Sequence, residues 1–343
     1  MKTDLYNHPD HYAMDDLLSE EHKLVRDAAR AWVKKEVSPI IDEHYEKATF
    51  PMHLLKGLGE IGAFGPYIPE EYGGPGLDQI SYGLIMQELE RCDSGLRSTA
   101  SVQSSLVMYP IWKYGNEEQK QRFIPKLATG EWKGCYCLTE PGSGSDANSG
   151  KTKAVLSEDG KHYIINGQKM WITNGGFAHV LTVFAKIDND ENLSAFILTR
   201  DMEGITFNAE EKKMGIKGSS TRQIFFNNVK VPVENLLSER GNGFKIAVNI
   251  LNIGRIKLGG GVLGGAKESI EYAARYANER QQFGRPIMKY GAIRHKLGDM
   301  AIRIYATESA LYRATQNIDD EIAALQQSGM EKGKAVLKGI ASF

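Results

Sequence analysis

The residues best placed for chemistry lie in one stretch, positions 134–150, GCYCLTEPGSGSDANSG. A short apolar run (Tyr136, Cys137, Leu138) delivers Thr139, Glu140 and Pro141, and the chain then opens into Gly142-Ser143-Gly144-Ser145-Asp146. Glycines let a main chain approach a ligand closely. Hydroxyls and exposed backbone N–H groups hold phosphate or the polar edge of a ring. Neither common nucleotide loop is present: there is no G-x-x-x-x-G-K-[ST], and no G-x-G-x-x-G between a strand and a helix. Taken alone, the stretch is equally a polar turn. A second stretch, 164–176, reads IINGQKMWITNGG. Its Asn166-Gly167 predicts a tight hairpin. The strand after it carries Met170, Trp171, Ile172 and Thr173 and stops at Asn174-Gly175-Gly176. A tryptophan in a short strand belongs more often to a core than to a ligand platform.

Together the two stretches, long, nearly uninterrupted and in this order, resemble the acyl-CoA dehydrogenase family. The resemblance implies that loop and strand wrap an FAD through Tyr136, Leu138, Thr139, Gly144, Ser145, Trp171, Ile172 and Thr173, with Ser145 also touching the CoA chain. A third segment, Asn278-Glu279-Arg280-Gln281-Gln282-Phe283-Gly284, is similar to the family's E/N-R-x-x-F-G. It implies that Arg280 reaches the FAD pyrophosphate of a neighbouring subunit, with Gln282 and Phe283 alongside. Without the motif, Arg280 is an ordinary solvated helix-end charge. Tyr290-Gly291 stands where the family has a further cofactor-binding Gln.

The reaction implied is α,β-dehydrogenation of an acyl-CoA thioester: a carboxylate takes the α-proton while the β-hydrogen leaves as hydride to the flavin. So weak a carbon acid needs a base of raised pKa in a dry pocket and donors for the thioester oxygen as charge develops. Residues 250–255, Ile-Leu-Asn-Ile-Gly-Arg, resemble the helix lining the substrate pocket. There Asn252 would meet the pantetheine or adenine portion and Arg255 would lie below the acyl site. An arginine on an otherwise apolar helix is costly unless paired, which points to a role. Some relatives carry the catalytic Glu one residue before this Arg, where Gly254 stands here; the commoner [YF]-E-G-T stretch occurs nowhere in the chain. Glu140, in the flavin loop, has the wrong position for a base. No catalytic residue is therefore assigned, and the expected Glu lies beyond Phe343. The last apolar stripe (Val336, Ile340, Phe343) stops without a Gly or Asn cap, so the chain is expected to be a fragment.

Two substrate classes compete. Positions 93–108, with Arg97 and Ser98, look like glutaryl-CoA dehydrogenase, in which this Arg and Ser hold the distal carboxylate of the substrate as a charge-assisted pair. Otherwise Arg97 is a surface helix charge. From Leu138 to about Asn317 the chain looks more like very-long-chain acyl-CoA dehydrogenases, which leaves a mixed subfamily or two halves of different origin. The resemblance further implies an electron-transferring flavoprotein as partner, a homotetramer, and a place in fatty-acid or amino-acid degradation. Rival readings are an acyl-CoA oxidase, which would form peroxide in air, and a binding protein without a base.

Those residues need positioning elements. Ser19 followed by Glu20 and Glu21 predicts a helix start, and Val25, Ala29, Trp32 and Val33 recur at helical spacing up to Pro39. Helical pattern covers 54–61, 79–91 and 98–114, and Asn116 caps a further helix. From Lys133 to about Leu236, short alternating runs are broken by Asp159-Gly160, Asn166-Gly167, Asn174-Gly175 and Asn227-Asn228, which predicts an antiparallel β domain. Helical stripes return from Gly243 and are expected to break at Asp319-Asp320. The expected architecture is α+β: an N-terminal helical domain (1–132), a middle antiparallel β-barrel (133–241) and a C-terminal helical bundle (242–343), the order found in the resembled family.

Composition sets the remaining bounds. With a net charge of -1, the 343 residues give no reason to expect nucleic acid as a partner. Three cysteines, Cys92, Cys135 and Cys137, are too few for a disulfide framework and predict a reducing, cytoplasmic setting. Cys135 and Cys137 would share a strand face as apolar packing residues, and no metal site is expected. The polar N-terminus has no signal core, and no run approaches 18 apolar residues, so no membrane span is expected.

Overall fold

The structure, a computed structural model, describes residues 13–341. Residues 1–12 and Phe343, the last position of the terminal stripe, lie outside it.

The first helix, α1 (Glu20–Trp32), starts where predicted. Ser19 Oγ accepts from His22 N–H while the His22 ring accepts from Ser19 N–H, so two otherwise orphaned N–H groups are satisfied reciprocally. Beyond Trp32 it loosens into a π-turn (Val33–Val37) and ends before Pro39. Then follow α2 (Ile41–Glu46), α3 (Leu54–Glu60), α4 (Gln79–Cys92) and α5 (Ser94–Ser101), the last two capped by Asp78 and Asp93. A seven-residue π-helix (Val102–Met108) leads into α6 (Tyr109–Tyr114), and α7 (Glu117–Ala128) starts on a reciprocal Asn116/Gln119 cap.

Next come β1 (Gly134–Cys137), β2 (Lys153–Leu156), β3 (His162–Thr173), β4 (Val180–Ile187), β5 (Ser194–Thr199), β6 (Ile205–Phe207), β7 (Thr221–Pro232) and β8 (Leu236–Leu237). The strand order is β6-β7-β3-β2-β4-β5-β8, with β1 also beside β4. This corrects the expected barrel: the sheet is open, ending in strands of three and two residues, and it is mixed. β4 runs parallel to β1 over its first half and to β2 at its end. Both faces of β4 are buried: Val180 and Phe184 join the core shared with the N-terminal helices, Leu181 and Val183 the core within the sheet. Cys135 and Cys137 are fully buried with their sulfurs 3.7 Å apart, as the shared-face reading requires.

Two predicted turns are not turns. Asn166-Gly167 lies inside β3, at a register shift opposite β7. A side chain at Gly167 would have its Cβ 2.6 Å from Thr152 Oγ1, so the glycine serves close approach at a bulge, not a hairpin. Asn227-Asn228 lies inside β7, where Asn228 takes φ 52° and the Asn166 side chain hydrogen-bonds it across the strands.

The C-terminal part is α8 (Gly243–Glu279), a hairpin of β9 (Gln281–Gln282) and β10 (Arg285–Pro286), α9 (Gly291–Gln327) and α10 (Lys332–Ala341). Helix α9 runs straight through Asp319-Asp320, against expectation. Asp319 is drawn to the start of α4, where the N–H groups of Gln79 and Ile80 point at its carboxylate. Helix α8 is long and apolar enough to cross a bilayer by length and composition alone, although no uninterrupted apolar run in it is that long, because Asn249, Asn252, Arg255, Lys257 and several glycines punctuate it. Those glycines serve packing. A Cβ on Gly260 would lie 2.7 Å from the Gly83 carbonyl of α4, and one on Gly264 would strike the Gln87 carbonyl.

Candidate cofactor and substrate site

The fold brings the two sequence stretches together. β1 ends at Cys137 beside β4, and the loop leaving it crosses the end of β3: Met170 N–H donates to the Thr139 carbonyl at 2.9 Å, and Lys169 Nζ to the Leu138 carbonyl at 3.1 Å. Glu140 and Ser143 exchange two backbone hydrogen bonds of 3.0 Å, closing a tight turn. Ser143 Oγ donates to the Asp146 carbonyl at 2.7 Å. Gly144 and Ser145 are left exposed beyond it.

At the centre is a buried ion pair. Lys169 Nζ lies 2.6 Å from Glu140 Oε1, with the two side chains 0% and 6% exposed. Burial works against both charges. For Glu140 the Lys169 ammonium and the N–H groups of Thr152 and Lys151 override it and hold the carboxyl below its ordinary range. For Lys169 burial prevails over Glu140 and pulls the ammonium below its ordinary range.

Past Lys169 the strand shifts register. Trp171 takes φ 61°, and its side chain is 56% exposed while Ile172 is buried. A bulky residue in the left-handed region is an outlier that costs about 1–3 kcal/mol. This tryptophan is therefore a presented surface and not the core residue that strand statistics favour. Thr173 is half-buried, and Asn174 anchors the following turn by donating to the Gly134 and Thr99 carbonyls. These residues fit a flavin: a presented aromatic face, an open glycine-serine turn, and the buried Tyr136 hydroxyl with no hydrogen-bond partner among the described residues.

The expected substrate residues lie on a second wall, where α5 and the π-helix face α8. Arg97 is no surface charge. It pairs with Glu90, both side chains about a tenth exposed, and Ser94 Oγ donates to the same carboxylate at 2.6 Å. Ser98, beside Arg97, is half-buried. Asn252 and Arg255 share one face of α8, with Arg255 Nη1 donating to Asn252 Oδ1 at 2.7 Å. Arg255 is exposed in the single chain, so the burial cost argued from sequence does not apply to it. Arg280, Gln282 and Phe283 are exposed on the hairpin at the far end of α8, Phe283 at 91%. A 37-residue helix spans about 55 Å. One chain therefore does not bring these three to the loop.

Comparison with known proteins agrees with this architecture. The acyl-CoA dehydrogenase N-terminal, middle and C-terminal domain families match residues 19–131, 135–229 and 241–338. The chain belongs to the acyl-CoA dehydrogenase family. A probable acyl-CoA dehydrogenase of Bacillus subtilis is 44% identical over 334 residues, 97% of this chain and 56% of that protein. The structure of an acyl-CoA dehydrogenase complexed with FAD from Bacillus anthracis superposes with a TM-score of 0.90 at 44% identity, over 97% of this chain and 58% of that one. A glutaryl-CoA dehydrogenase from Mycobacterium smegmatis in complex with FADH2 gives 0.84 at 30% identity, over 97% and 92%. The chain thus spans little more than half the length of the two relatives matched at 44%.

Sequence reasoning missed two buried lysines. Lys169 is in phase with Ile165 on the inward side of β3, and a cation on an inward face is a signal that a counter-ion is near. Lys257 lies on α8, buried, donating to the Ser101 carbonyl at 2.8 Å and to Ser105 Oγ. Burial, reinforced by Arg97, pushes its ammonium well below the ordinary range. No local pattern announces it.

Proposed function

We propose that this chain is the greater part of the FAD- and acyl-CoA-binding unit of an FAD-dependent acyl-CoA dehydrogenase acting in acyl-chain degradation. The observation that carries the reading is the meeting of the 138–145 loop with the Trp171–Thr173 strand end, in a fold matched by FAD complexes. FAD bound there supplies the hydride acceptor. The protein's part is placement. Thr139, Ser145 and the open glycines offer donors, and Trp171 presents a ring face.

Arg97 and Ser98 on the second wall are proposed to meet the far end of the acyl group, and Asn252 and Arg255 the CoA side. Arg280, Gln282 and Phe283, exposed in one chain, are proposed to serve a second copy in a homotetramer. The base is proposed to be a carboxylate outside this sequence, the acceptor an electron-transferring flavoprotein, and the compartment cytoplasmic, in keeping with only three cysteines in the sequence.

The test is the visible spectrum of the purified chain after FAD titration, followed by anaerobic addition of glutaryl-CoA or palmitoyl-CoA. Flavin uptake without bleaching is expected. Failure to take up flavin overturns the reading. Bleaching by either thioester overturns the external base, and the faster thioester identifies what Arg97 faces.

A further inference from the structure

The Glu140–Lys169 pair is larger in consequence than a buried ion pair that merely holds a fold. We propose that Glu140 and Lys169 are positioning residues for the flavin, a neutral charge pair that fixes the 138–145 loop against the Trp171 strand. This rests on the FAD reading above.

The bonds of the pair converge on the loop. Glu140 Oε1 accepts from Lys169 Nζ at 2.6 Å and from Thr152 N–H at 3.1 Å, and Oε2 accepts from Lys151 N–H at 2.6 Å. One carboxylate therefore joins the loop after β1 to the entry of β2 and to β3. A side chain on Gly150 would crowd it, with a Cβ 3.0 Å from Oε1. Lys169 uses a second donor on the Leu138 carbonyl. The carbonyls of Leu138, Thr139 and Glu140 are thus all occupied by donors from β3 or the turn, while Gly144 and Ser145 remain open. Three donors converging on one side chain require an acceptor of high capacity. An ionised carboxylate is such a group, and a neutral amide in its place would turn a donor toward another donor. Lys169 then cancels the charge that the carboxylate brings under the cofactor loop. The next residues along β3 are Met170 and the strained, exposed Trp171, so a shift of the lysine moves the ring platform as well.

A pair that only stabilises the sheet would leave the loop and the cofactor's electronics unchanged once the protein is folded. A positioning pair would not. The variants are Glu140→Gln, Lys169→Met, the neutral double variant, and the charge-conserving Lys169→Arg, all in the full chain. In the flavin-free protein, amide hydrogen exchange across 138–147 is expected to accelerate in either single variant at least tenfold more than exchange of the α4 and α8 amides does. FAD titration is expected to show affinity at least tenfold weaker in each single variant and in the double, which also lacks the bonds that fix the loop, and within a few fold of wild type in Lys169→Arg. The flavin potential is expected to move up in Glu140→Gln, which leaves a cation, and down in Lys169→Met, which leaves an anion.

If a single variant fails to fold, Lys169→Arg and the double variant carry the same comparison. Unchanged loop exchange together with wild-type affinity in the singles would overturn the proposal. So would potentials that move in the same direction. Absence of FAD binding in the unmodified chain would overturn the FAD reading instead, and loop exchange would still decide whether the pair fixes the loop.

Discussion

Lys169 in the middle domain and Lys257 on α8 are both closed off from water, but they solve burial in different ways. Lys169 meets a carboxylate at 2.6 Å. The groups that Lys257 donates to are a carbonyl and a hydroxyl, and its charged neighbour is the like-signed Arg97, whose carboxylate partner is Glu90. An ammonium needs three acceptors and a low-energy home for its charge, whereas a neutral amine is content with two. The lesson is that a buried lysine is held either by a counter-ion or by neutral acceptors that favour its uncharged form. The two kinds respond differently to mutation and pH.

The largest effect should follow from breaking the compensated pair. Lys169→Met leaves the Glu140 carboxylate buried without its counter-ion and should lower unfolding stability by about 3–5 kcal/mol, read from urea denaturation. A loss below about 1 kcal/mol would erase the contrast with Lys257. Glu90→Gln removes the single carboxylate shared by Arg97 and Ser94 and should cost about 1.5–3 kcal/mol by the same measurement.

Asp319 extends the rule to an acid. Burial and the nearby Asp78 push it up to about 7, against the Gln79 and Ile80 N–H groups and His22, which favour its ionised form. Between the ordinary carboxylate range and pH 7 the folded protein holds more proton than the unfolded chain, so stability should fall as pH rises through this window. Asp319→Asn should flatten that fall and leave the protein more stable at pH 8, on the order of 2 kcal/mol, with no gain at pH 4. A gain equal at both pH values would mean that Asp319 keeps its charge in the fold.

The smallest effect belongs to the uncompensated lysine. Lys257→Met should change stability by less than about 1 kcal/mol at high pH, because Ser101's carbonyl still accepts from Ser104 and Ser105. With its folded pKa lowered, Lys257 contributes stability that is fully present above the unfolded value near 10.5 and is lost as pH falls through the folded one. The wild-type protein should therefore gain stability from neutral toward alkaline pH, and the variant should gain less. Thermal unfolding at stepped pH checks both slopes.

The sequence makes visible whatever is local. Ser19 with its following glutamates, Asn116 ahead of Glu117, and the apolar steps along α8 all carry their physics within four residues, and each matches an element. The two motif stretches are legible as a pair, although neither is decisive alone. Where tertiary contacts override local chemistry, the reading fails. Asn166-Gly167 has the composition of a turn but serves the approach of Thr152. Asp319 would weaken an isolated helix, yet here it answers the start of α4. Glu140 and Lys169 are 29 residues apart and Ser101 and Lys257 are 156 apart, separations at which no periodicity speaks. Glycines 260 and 264 look like interruptions and are in fact the contact surface of two helices.

Trp171 is one of four tryptophans in the chain, and Trp32, Trp112 and Trp132 are half-buried or buried. An indole left this open emits to the red of its enclosed companions and meets dissolved quenchers first. The chain therefore carries its own optical gauge at the end of β3: acrylamide should silence mainly this one emitter, and anything that comes to lie against the ring should shield it.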